Sequence, residues 1–202
     1  MSQPTSVIFD VGRVLFEWDL RHLYTKLIAD EDQLEHFVAA VVTPEWHFQA
    51  DQGRPVDEMV AERIAQFPQH ATLIHAYATR FTETIPGPVA GMPELVARLD
   101  AAGVPLYAIT NFGHEFWQMF RPTQPIFDRF ADIVVSGTEQ LAKPDPRIFR
   151  LALDRFALAP RAALFVDDNA DNVAAARAMG ITSHLFTDAA SLETNLGRFG
   201  LL

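Results

Sequence analysis

The stretch SVIFDVGRVLFEWD (residues 6–19) decides how the rest of the chain is read. Val7, Ile8 and Phe9 form an apolar run rich in β-branched residues, as expected of a strand buried on both faces. An ionisable group, Asp10, follows at once, and a glycine stands at position 12. A carboxylate at the end of a buried strand needs either a partner or a purpose.

Beyond this strand there is no further strand signal for some seventy residues. Leu20, Leu23, Tyr24, Leu27 and Ile28 repeat at helical spacing, as do Leu34, Phe37, Val38, Val41 and Val42. Val56, Met59, Val60, Ile64 and Phe67 share one helical face, and so do Leu73, Ile74, Tyr77 and Phe81. Four amphipathic helices are predicted, punctuated by Pro44, Gly53, Pro55 and Pro68. The segment EWHFQADQGRPVDEM (45–59) breaks the pattern at Gln49, Asp51 and Gly53, as either an interhelical turn or a loop facing a site.

At IPGPVAGMPEL (85–95) the character changes. A helix with Pro93 near its start and Gly103 past its end opens a strand–helix alternation. VPLYAIT, ADIVVSG, AALFVDD and ITSHLF read as strands. HEFWQMF, DPRIFRLALDRF, DNVAAARAMG and SLETNLGRF read as helices. Such alternation predicts an α/β fold, a doubly wound, Rossmann-like parallel sheet with helices on both faces. The first strand needs the later ones as partners. Residues 16–86 are therefore read as a small helical cap inserted after the first strand of a core made of 1–15 and 87–202.

The totals narrow the function. The 202 residues are 49% apolar, enough for a sizeable core, and carry a net charge of −10. That charge and the lack of a basic run argue against nucleic acid. The absence of cysteine excludes disulfides, thiolate metal sites and cysteine nucleophiles. MSQPTSVIFD (1–10) does not resemble a secretory signal, and no window approaches the ~20 apolar residues of a membrane span. A cytoplasmic protein without a membrane partner is expected.

In open α/β sheets, ligands bind beyond the carboxyl ends of the strands. Those ends carry Asp10, then Thr110 and Asn111, then Lys143 at the foot of a helix, then Asp167 and Asp168. Three carboxylates at one edge call for a cation or a shared proton. Oxygen ligands without cysteine suit Mg²⁺, which commonly bridges carboxylate and substrate phosphate. A carboxylate can also serve as a covalent nucleophile, and phosphoryl transfer needs mainly positioning and charge neutralisation. The Thr110 hydroxyl, the Lys143 ammonium and backbone amides near Gly12 are suitable donors, and Gly12 lets the backbone approach a metal or phosphate closely.

These residues resemble the haloacid dehalogenase-like (HAD) hydrolase superfamily through FDVGRVL (9–15), ITN (109–111), KPDPRIF (143–149) and FVDDNADNVAAARAMGI (165–181). Within it, DVGRVL with VDDNADN is most similar to phosphatases related to α-glucose-1-phosphate phosphatase and to the N-terminal domain of soluble epoxide hydrolases. The resemblance implies a Mg²⁺-dependent phosphatase of a small phosphorylated metabolite, such as a sugar phosphate, working through an aspartyl-phosphate. It implies Asp10 as nucleophile and metal ligand, and the Gly12 carbonyl as a second ligand. Thr110 and Asn111 would hold the phosphoryl group, and Lys143 would neutralise it. Asp168, with Asp167 directly or through water, would complete the metal site.

One departure stands out. Most phosphatases of the superfamily carry a general-acid aspartate two residues after the nucleophile, where this chain has Gly12. Three readings follow: substrates with a good leaving group, a substitute acid such as Glu17, Asp19 or a cap residue, or a catalytically weak ligand-binding or scaffold protein. A 2-haloacid dehalogenase, using the same aspartate without metal and Arg13 as carboxylate or halide binder, is the rival chemistry. The pair Asp167–Asp168 favours the phosphatase. Taken singly, each residue has a plainer reading: a strand-end turn at Asp10, a helix cap at Thr110–Asn111 or at 167–169, a surface lysine at Lys143. Asp171 and Asn172 read as structural, His114 as a helix-start residue, and Trp18, Trp46 and Trp117 as packing residues. Monomer and homodimer both stay open.

Overall fold

In the computed structural model, which describes residues 3–202, strand β1 (Ser6–Phe9) is buried along its whole length. Its partners are β2 (Leu106–Thr110), β3 (Asp132–Val135), β4 (Ala163–Asp167) and β5 (Thr182–Leu185). All pairings are parallel, in the order β3-β2-β1-β4-β5. The first strand is thus the centre of the sheet, with two later strands on each side. Its side chains alternate between faces: Val7 and Phe9 join the larger apolar cluster, and Ile8 joins the smaller one with Ile109, Phe149 and Phe165. Met1 and Ser2, part of the 1–15 segment, lie outside the described residues.

Six α-helices lie between β1 and β2, and the first five fall within residues 16–86: α1 (Arg21–Tyr24), α2 (Glu31–Ala40), α3 (Pro44–Asp51), α4 (Val56–Gln66) and α5 (Ala71–Thr79). The Asp30 and Thr43 side chains cap α2 and α3 by accepting from Gln33 and Trp46 amides. The α3 helix departs from the sequence expectation, since it runs through the segment read as a break. Only at Gln52–Arg54 does the chain turn, with Gly53 at φ 90°. The expected helix near 20–28 is cut to a single turn.

The remaining helices are α6 (Met92–Ala101), α7 (His114–Phe120), α8 (Ser136–Glu139), α9 (Pro146–Arg155), α10 (Ala170–Ala178) and α11 (Ala189–Arg198). They fall where the strand–helix alternation placed them, apart from the short α8. The inserted block shares the larger apolar cluster with the sheet. An aromatic seam joins them, with the Phe81 ring stacked on Phe116 at 3.8 Å and Tyr77 edge-on to Phe116 at 5.0 Å. No helix among the described residues is long and apolar enough to cross a membrane.

Candidate active site

The parallel register brings the strand ends together. Phe9 lies opposite Val166, and the Asp10 amide donates to the Val166 carbonyl at 2.8 Å, so Asp10 comes to lie beside Asp167. Asp10 Oδ1 accepts from the Val11 amide at 2.6 Å and pairs with Lys143 Nζ at 2.8 Å. Oδ2 has no hydrogen-bond partner among the described residues.

Lys143 is only 1% exposed, so the surface-lysine reading does not hold. Its loop, between α8 and α9, is pinned to the end of β2. The Lys143 amide donates to Asn111 Oδ1 at 2.8 Å, and Asn111 Nδ2 donates to the Lys143 carbonyl at 2.9 Å. The carboxamide expected to grip a phosphoryl group therefore sets the position of the lysine. The ammonium also donates to Asp167 Oδ2 at 2.7 Å. Burial alone would lower the Lys143 pKa, but the carboxylates of Asp10 and Asp167 overcome it and raise it. At Asp10 burial wins: it lifts the carboxyl to about 7, against the pull of Lys143 and with help from Asp167.

Asp167 is fully buried and well satisfied. Oδ1 accepts from the Asn169 amide and from Asn172 Nδ2, and Oδ2 accepts from Lys143 and the same Asn172 nitrogen. Asn169 in turn caps α10. Asp168 is part-buried; burial and then Asp167 raise its pKa, while Arg13 and Lys143 oppose. Asp10, Asp167 and Asp168 each offer an oxygen within 4.8 Å of the others. Three carboxylates against one buried ammonium leave negative charge that a hard divalent cation fits. Asp10 and Asp168 have oxygens to spare for it, whereas both oxygens of Asp167 are engaged.

Gly12 lines the cavity, and the place a Cβ would take is open. A longer side chain here would enter the cavity, where this chain leaves room. Arg13 adopts a left-handed conformation, φ 58°, and its guanidinium lies over the Trp18 ring with Nε donating to the Trp18 carbonyl at 3.3 Å. Thr110 ends β2 fully buried, and its Oγ1 has no hydrogen-bond partner. An unmet buried hydroxyl costs about 1–3 kcal/mol, and Thr110 lies next to Asn111, which lines the cavity, without lining it itself.

Above this floor lies a cavity of about 190 Å³. Residues 16–86 contribute Phe16, Glu17, Trp18, His47, Asp51, Phe81 and Ile85 to its lining. His47 and Asp51 stand one turn apart on α3, both buried, with His47 Nε2 3.6 Å from Asp51 Oδ2. Tyr77 Oη holds His47 Nδ1 at 2.7 Å. Sequence reasoning named Asp51 only as a break in the helical pattern of a segment that is either a turn or a loop facing a site, and gave His47 no role. Their i, i+4 spacing would have placed both on one helical face had the segment been read as a helix.

The family model "haloacid dehalogenase-like hydrolase" matches residues 6–180. The sesquiterpene phosphatase astK of Aspergillus oryzae is 28% identical over 194 residues, covering 91% of this chain and 90% of that protein. A HAD family enzyme from Bacteroides thetaiotaomicron, solved with magnesium and inorganic phosphate, superposes with TM-score 0.71 at 18% identity, over 92% of this chain and 96% of that one. An L-2-haloacid dehalogenase from Xanthobacter autotrophicus with chloropropionic acid covalently bound gives TM-score 0.65 at 15% identity, over 99% and 85% of the chains. At those identities the likeness is one of fold.

Proposed function

Since the chain belongs to the haloacid dehalogenase-like hydrolases, we propose that it is a Mg²⁺-dependent phosphatase of small phosphate monoesters, with Asp10 as nucleophile. The observation that carries this reading is the trio Asp10, Asp167 and Asp168 gathered around the buried Lys143 beside one cavity, which Asp10, Lys143 and Asp168 line. A metal-free dehalogenase has no evident use for the trio. The relative named as a phosphatase supports the same direction.

In this reading one Asp10 carboxylate oxygen attacks phosphorus in line while the other faces the metal, and the bond from phosphorus to the leaving oxygen breaks. Water then attacks the aspartyl-phosphate and frees the Asp10 carboxylate. Lys143 offsets negative charge on Asp10 and on the phosphoryl oxygens, held in place by Asp167 and Asn111. Asp10, Asp168 and the Gly12 carbonyl would hold Mg²⁺, whose part is to neutralise phosphoryl charge. Asp167 would act by orienting the lysine and bordering the metal. The Thr110 hydroxyl would donate to a phosphoryl oxygen, and Arg13 would face the substrate at the cavity wall.

Residues 16–86 would act as the cap that limits water and selects substrate. The cavity wall is rich in aromatic rings, Phe16, Trp18, Phe81, Phe112 and Phe120. That wall favours a substrate with an apolar or flat part, so isoprenyl and alkyl phosphates belong in the assay beside sugar 1-phosphates. Phosphate release from such a panel, compared with Asp10→Asn, tests the proposal. Release by the native protein that the variant abolishes is expected; undiminished release by Asp10→Asn would remove Asp10 as nucleophile.

A further inference from the structure

A phosphatase built this way lacks an acid at position 12, yet an alkoxide leaving group needs a proton. In-line attack places the leaving oxygen on the side of phosphorus away from Asp10. A proton donor is therefore wanted on the cavity's far wall. Four carboxylates line the cavity: Asp10, Glu17, Asp51 and Asp168. Asp10 and Asp168 belong to the floor, and Glu17 is exposed. Asp19 is not on the wall, and its Oδ1 accepts from the Arg21 amide.

Asp51 is different. It is 6% exposed, stands at the carboxyl end of α3, and its Oδ1 is buried without any hydrogen-bond partner. We propose that Asp51 is the general acid–base of this enzyme, supplied by the inserted block in place of the residue missing at Gly12. This rests on the phosphatase reading above.

The groups facing Asp51 fit the role. From its own helix comes His47, which burial pushes down to about 4 and so keeps neutral. From α5 comes Tyr77, and from the core Asp10, Lys143 and the Gly113 amide. Burial first, and the Asp10 charge second, lift the Asp51 carboxyl to about 8, with the Gly113 amide and Lys143 in partial opposition. Burial with Oδ1 unpartnered favours the protonated acid that donation needs. As Asp10 forms its bond to phosphorus, the breaking bond leaves its electron pair on the ester oxygen, which takes the Asp51 proton. Asp51, now a carboxylate, takes a proton from the water that attacks phosphorus. That step releases Asp10 and restores Asp51.

The test is the dependence of turnover on the leaving group. The native protein and Asp51→Asn are assayed with p-nitrophenyl phosphate, whose leaving group needs no proton, and with an alkyl phosphate, whose leaving group does. Asp51→Asn is expected to lose ~10²–10⁴-fold on the alkyl ester and far less on the nitrophenyl ester, with Asp51→Glu restoring part of the alkyl activity. Equal losses on both esters would mark Asp51 as structural, and no loss on either would leave it without a role; both overturn the proposal. The native protein alone gives a second arm, which holds even if the variant does not fold. A shallow dependence on leaving-group acidity is expected, and a steep one means that no acid acts. If the native protein releases phosphate from no ester, the phosphatase reading itself falls, and this inference with it.

Discussion

At the scale of single residues, Lys143 is the keystone of the site. Its ammonium is buried between Asp10 and Asp167, and its removal leaves two buried carboxylates uncompensated. Breaking a buried ion pair from one side typically costs about 3–5 kcal/mol. Lys143→Ala is therefore expected to lose stability of that order in urea unfolding, together with turnover. A loss under ~1 kcal/mol, the range of exposed pairs, would mean that water or ions compensate the site. Asp51 makes a prediction of opposite character. Its carboxyl titrates near 3.8 when exposed and at about 8 in the fold. Between those values the folded state keeps a proton that the unfolded chain has released, so stability falls as pH rises through the window. Asp51→Asn abolishes that titration. The variant is expected to gain steadily on the native protein in unfolding free energy from about pH 4 to about pH 8; a constant difference would show that Asp51 titrates normally.

Several of these roles could be read from the chain and several could not. Asp10, Asp167 and Asp168 stand out as ionisable groups at the ends of apolar runs and Lys143 as a cation at the foot of a helix, and the structure gathers all four. The family resemblance of ITN (109–111) implies Asn111 as a phosphoryl ligand. That its carboxamide spans to the backbone of a residue 32 positions away is a long-range fact that no local pattern records. The engagement of both Asp167 oxygens has the same origin, since Asn172 and Lys143 reach it from different elements.

At the scale of elements, the β–α units were legible because their strands are buried on both faces and read as unbroken apolar runs. The α3 helix was not, for a reason that bears on function. Its buried face carries Trp46, His47, Ala50 and Asp51, so the positions facing inward are partly polar. A helix that presents chemistry to a cavity loses the apolar periodicity by which helices are recognised. The turn after it is equally specific. Gly53 has φ 90°, and a Cβ there would stand 2.9 Å from the Gly137 carbonyl and from the Gln140 side chain. Gly53→Ala is expected to cost at least the ~1–2 kcal/mol of a left-handed L-residue. It should also lower turnover, because α3 carries Asp51 to the cavity. Unchanged melting and turnover would show that the turn can move freely from its seat on the core.

At the scale of the whole molecule, the sheet edge supplies the floor of the site and the inserted helices supply its roof. The net charge of −10 repels phosphorylated ligands at long range. Attraction must therefore be local, from Lys143, from backbone amides and from the cation that the carboxylates would hold. The aromatic seam through Phe81 and Phe116 fastens the roof to the floor by packing. Sequence order reads residues 16–86 as an interruption of the α/β alternation; that residues of this stretch line one cavity with the strand ends is a long-range fact it does not record.

The most direct test of the central claim is the initial rate of phosphate release by the native protein with Mg²⁺ and with chelator. Release is expected with Mg²⁺, and loss of at least most of it on chelation. Release unaffected by chelation, or chloride release from 2-chloropropionate in place of phosphate release, would contradict the assignment of a metal-dependent phosphatase.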